Sequence, residues 1–141
     1  MTHKRQLIRE AIRLRLEQIP ALAGRCHSTR SRPVEARELP AAIIYTLNET
    51  SELANFDGTL ARTLTGVVEI RASAAGAIDN ALDDLSEEIE RTLAVDPRFG
   101  GLVRLSFLTG TTIGIDGEGE SRQAVATLSY ELQYDTDAAG N

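Results

Sequence analysis

The chain has 141 residues, 42% of them apolar and 26% charged, with a net charge of −6; that is enough for one domain whose core needs neither disulfide nor metal. A single cysteine, Cys26, excludes an intramolecular disulfide framework and a Cys-pair zinc site. No run of 18 apolar residues predicts a membrane span, and three Tyr, three Phe and no Trp make a poor stacking platform for nucleic acid.

In chain order, residues 4–19 read as an amphipathic helix. Leu7, Ile8, Ala11, Ile12, Leu14, Leu16 and Ile19 give three- and four-residue apolar steps, with Thr2 as cap and Pro20 as stop. This N-terminal stretch is charged throughout and lacks the apolar run of a secretion signal, so synthesis in a reducing cytoplasm is expected. The next stretch, to Pro40, reads as a basic connection with a short edge strand around Val34. AAIIYTL at 41–47 reads as a strand, and NETSELANFDGTLA at 48–61 as a mobile polar loop. RTLTGVVEIRA at 62–72 alternates Leu64, Gly66, Val68 and Ile70 with Thr63, Thr65, Val67 and Glu69, the period of a strand.

A second helix is expected over 76–94. Ile78, Leu82, Leu85, Ile89 and Leu93 form one apolar stripe, and the opposite face is acidic. Asp96–Pro97 ends it. Val103, Leu105, Phe107, Ile113 and Ile115 share one parity in a further strand, with bulges or bends expected at Gly110 and Gly114. Ala124, Ala126, Leu128, Tyr130, Leu132 and Tyr134 share one parity in the last, and an Asp116–Gly117 turn joins the two. Residues 1–3 and 137–141 are expected to fray. The order α–β–β–α–β–β defines a two-layer α+β domain over 1–141: a mainly antiparallel sheet with two amphipathic helices packed on one face.

The residues show little chemistry. Cys26 and His27 are adjacent, a poor arrangement for a nucleophile and its base. Asp116, Glu118 and Glu120 alternate with glycines without cation-loop spacing, and no phosphate-loop, dinucleotide or metallopeptidase motif occurs. No enzyme activity, cofactor or metal is expected. Charge is the stronger signal. Residues 1–40 carry nine Lys/Arg against four Asp/Glu, and residues 41–141 carry six against seventeen. Opposed charges on different surfaces favour head-to-tail contacts, which close into rings when the rotation allows. The candidate interface is Arg25, Arg30, Arg32 and Arg37 against Asp83, Glu87 and Glu90. Arginine forks suit carboxylates, and a pI near 4.9 disfavours specific nucleic-acid binding.

Over residues 4–136 the chain resembles the tail terminator proteins of long-tailed bacteriophages, the lambda-type minor tail protein U group. The resemblance is carried by RTLTGVVEIRA leading into IDNALDDLSEEIERTL, by the closing QAVATLSYELQYDT, and by a first helix that ends before a proline. The resemblance implies an α+β fold, no enzyme activity and assembly as a hexameric ring. Such rings cap the tail tube, end its polymerisation and offer a surface to the head-completion or neck protein. It also implies residence in the bacterial host cytoplasm during assembly and then in the virion or a tail-like particle. No site residue is carried over, and neither the Arg-rich connection nor Cys26–His27 belongs to the shared pattern. A neck or head-completion protein and a small α+β ligand-binding module are the alternative readings.

Overall fold

The computed structural model describes residues 2–28, 34–117 and 122–141. Its elements are α1 (Lys4–Leu16), β1 (Cys26–His27), β2 (Ala41–Leu53), β3 (Leu60–Ser73), α2 (Ile78–Ala94), β4 (Leu105–Asp116) and β5 (Gln123–Thr136), with 3-10 turns at Pro20–Leu22 and Ala36–Glu38. The sheet runs β1-β2-β3-β5-β4. Among the described residues only the two-residue β1 is parallel to its neighbour; the other pairings are antiparallel. Both long helices lie on one face, so the expected α+β architecture is present; the element order matches roughly, with β1 and the two 3-10 turns added between α1 and β2.

The core forms where the helix stripes meet that face. Ile8, Ile12 and Leu16 of α1 and Leu82, Leu85, Ile89 and Leu93 of α2 are buried against Ala42, Ile44, Leu64, Val68 and Ile70. The whole alternating set of β5, from Ala124 to Tyr134, joins them. Gly66 belongs to this layer because a Cβ there would lie 2.7 Å from Leu132 Cδ1. Leu7 and Leu14, expected in the apolar face of α1, are exposed. They sit seven residues apart on the solvent side, where α1 meets no other layer.

Several boundaries differ from expectation. His3, not Thr2, caps α1, its Nδ1 accepting from the Arg5 amide at 3.0 Å. The helix stops at Leu16, and Glu17 turns the chain by accepting from the amides of Gly24 and Cys26. The short strand is Cys26–His27 rather than the Val34 region. The loop expected over 48–61 contracts to 54–59, because residues 49–53 pair with 60–64 of β3 after a bulge beyond Thr46. Backbone pairing holds this arm together, whereas β2 beyond Thr46 is largely exposed. The C-terminal segment is tied down. Asp137 accepts from the amides of Ala139 and Asn141, and the Gly140 carbonyl accepts from the Lys4 amide at 2.9 Å.

β4 carries the largest correction. Its register shifts between Leu108 and Gly110, and an extra residue reverses the faces of the side chains that follow. Before the bulge, Leu105 and Phe107 oppose Gln133 and Glu131 on the helix-free face. After it, Ile113 and Ile115 oppose Ala126 and Ala124 on the helix face. All four stay substantially exposed: Leu105 and Phe107 lie on the face without helices, and α2 does not extend over Ile113 and Ile115.

Replacing Ile89 by Ala removes a fully buried side chain and is expected to lower unfolding free energy by about 2–5 kcal/mol. Leu14→Ala, on the exposed side, should change it by no more than about 0.5 kcal/mol. Urea denaturation of the two variants checks this, and equal losses would contradict the placement of the two helix faces.

Candidate assembly surface

The arginine-bearing connection is anchored locally. Arg25 donates to the Leu39 carbonyl at 2.8 Å. Arg37 pairs with Glu35 at 3.0 Å while 81% of its side chain remains exposed. Arg30 and Arg32 lie outside the described residues. On α2, Asp83, Glu87 and Glu90 are all exposed, and Glu87 pairs with Arg91 one turn on. Among the described residues none of these pairings crosses from the connection to the α2 acids.

The two sides of α2 face different surroundings. At 3.6 residues per turn, Ala81, Asp84, Leu85 and Glu88 share one flank, and Glu90, Leu93 and Ala94 the other. The first flank borders an apolar groove of about 500 Å³ closed by Ala36, Leu39 and Pro40 of the connection. The second borders a groove of about 390 Å³ beside Ser106, Leu108 and Tyr130. The connection and Glu90 thus lie on opposite flanks of one helix.

A buried ionic node, missed in the sequence, fastens α1 to the sheet. The Glu49 carboxylate accepts from Arg62 at 2.8 Å, from Arg5 at 2.5 Å and from the Tyr134 hydroxyl. Arg62 also donates to Thr136 Oγ1 at 2.7 Å. Burial alone would raise the Glu49 pKa. The hydrogen bonds from Tyr134 and Arg62 and the charge of Arg5 outweigh it and hold the carboxyl below its ordinary value. Burial and Glu49 push the Tyr134 hydroxyl above its usual range, keeping it a donor. One signal was available: Arg62 shares the inward parity of Leu64, and an inward arginine needs a buried acceptor.

The other polar candidates do not converge. Successive strand residues point to opposite faces, so Cys26 enters the core while His27 faces away. Burial, with the Glu17 charge adding to it, pushes the Cys26 thiol up to about 12, far from a reactive thiolate. Asp116 pairs with Arg71 at 3.1 Å, and Glu118 and Glu120 lie outside the described residues. Among the described residues no three of His, Cys, Asp and Glu gather as metal ligands, and no helix is long and apolar enough to cross a membrane. Neither a protein-family model nor a curated protein matches the chain.

Glu49→Ala leaves Arg62 buried without its carboxylate and is expected to cost about 3–5 kcal/mol. A carboxyl depressed on folding contributes stability above its unfolded pKa, roughly 4.3, and that contribution is lost as pH falls through the lower folded value. Urea midpoints between about pH 3 and 6 should therefore fall on acidification in the parent chain and less steeply in the variant. Identical slopes would contradict the role of Glu49.

Proposed function

We propose that the chain is a structural protein of a phage or prophage tail, capping the tail tube as a closed ring. The ring ends tube polymerisation and offers a surface for the head-completion protein; six copies are the number in the family it resembles. Assembly takes place in the bacterial host cytoplasm, and the product resides in the virion tail or a tail-like particle. The observation that carries this reading is the disposition of charge about α2. The connection bearing Arg37 lies on one flank and Glu90 on the other, not paired with each other, so a side-by-side copy brings opposite charges together. A contact between two different surfaces is heterologous and closes when its rotation divides a full turn.

Two further features support the reading. Among the described residues β1 pairs with β2 at Ala42 and Ile43 alone, and β4 has no second strand neighbour. The sheet therefore presents a backbone edge on each side, a ready surface for association. The buried, high-pKa Cys26 facing away from His27 disfavours thiol catalysis.

Exposed ion pairs contribute under about 1 kcal/mol each, so assembly needs several acting together. Light scattering across a concentration series should show closed rings, visible by negative stain. Arg32→Glu combined with Arg37→Glu should shift the population to monomer with an unchanged circular dichroism spectrum. Unchanged assembly at both low and physiological salt, or a dimer as the largest parent species, would overturn the proposal.

A further inference from the structure

The groove between the C-terminal half of α2 and the first half of β4 contains an unusual combination. Its floor is Tyr130, 8% exposed, whose hydroxyl is buried with no hydrogen-bond partner. Its walls are Leu93, Ala94 and Leu108, with Glu90 at the rim. Ser106 also lines it and donates to the Pro97 carbonyl at 2.6 Å, leaving its oxygen free to accept. A buried hydroxyl without a partner is costly; Tyr130 lines the open groove while its hydroxyl has almost no exposed surface, so a guest reaches it once the lining side chains shift. Burial and the nearby Glu90 charge raise the Tyr130 pKa, so the hydroxyl stays neutral and its oxygen keeps lone pairs to accept with.

The acceptors and walls specify the guest. Glu90 requires a cation, the two hydroxyl oxygens require a donor of several hydrogens, and the apolar walls require an aliphatic stem. An arginine side chain meets all three conditions. The chain already holds one arginine in a comparable way: Arg15 lies along α2's C-terminal end, donating to the Asp96 carbonyl at 2.5 Å, 3.6 Å from the Asp96 carboxylate and 4.2 Å from the Phe99 ring centroid.

We infer that this groove is the socket for an arginine side chain of a second copy of this chain. Charge complementarity and composition fix that choice. Fourteen of the fifteen basic residues are arginine, and exposed Arg37 lies on the opposite flank of α2, where a head-to-tail neighbour presents it. The identity of the donor copy rests on the assembly proposed above, whereas the socket is a property of the single chain. Arg37 is the described member of the connection best exposed to make this contact.

Titration of the isotope-labelled chain with argininamide, followed by amide and side-chain NMR, separates the two. Saturable shifts at Leu93, Leu108 and Tyr130 are expected at millimolar probe, several-fold weaker with lysinamide and lost in Glu90→Gln. Tyr130→Phe should bind argininamide several-fold more weakly while its melting temperature holds or rises, since no internal hydrogen bond is lost. Absence of saturable shifts, or equal response to lysinamide, would overturn the arginine socket and leave a hydroxyl satisfied by water. Argininamide binding together with undiminished ring formation by Tyr130→Phe and Glu90→Gln would overturn the second copy as its source. Failure of ring formation in the parent chain, with argininamide still bound, would overturn the assembly reading and leave the socket standing.

Discussion

A single carboxylate joins elements that are far apart in the chain. Glu49 stands on β2, receives Arg5 from α1, Arg62 from β3 and Tyr134 from β5, and is itself largely buried. Removing two cations and an acid from water is costly, and only the shared hydrogen bonds offset that cost. The consequence is positional. With the start of α1 pinned to the sheet by Glu49 and its stripe of Ile8, Ile12 and Leu16 in the core, the first helix has one seat. The second helix packs beside it, and the lateral position of α2 determines what its two flanks face.

The sheet is covered unequally, and the exposed parts follow from that. Two helices are too narrow to span five strands, so Ile113 and Ile115 remain uncovered on the helix side of β4. On the opposite face Arg71 gathers Glu69, Asp116 and Gln123 across three strands, and Gln123 in turn donates to the Val34 carbonyl at 2.6 Å. These bonds tie the end of the connection to the sheet. The connection is thereby held on one side of the molecule, while the flank of α2 bearing Glu90 opens toward the other. A polarity of this kind is suited to repetition around a ring.

Much of this fold was legible from periodicity. The α2 stripe and the β5 alternation each bury a continuous set of side chains against one layer, so hydrophobic spacing alone marks them. β4 departs from the single parity expected of it because one bulged residue, beside the bulge or bend expected at Gly110, reverses the pleat. The arm at 49–53 was misread because its pairing is a backbone property, and its exposed side chains carry no apolar alternation. Arg5, Glu49, Arg62 and Tyr134 were invisible as a group, since charge in a sequence gives no sign of which distant partner will share its burial. For the interface, the acidic face of α2 was visible as a helical pattern. That the connection and Glu90 fall on opposite flanks needed the tertiary structure.

The proposed role requires copies of the chain to meet at a tube end. Tail-tube protein polymerised with and without the chain, then imaged by electron microscopy, tests this most directly. The expected result is tubes of restricted length with a ring of the chain at one end only. Tubes that grow to the same length in its presence, with no added density at either end, would contradict the account.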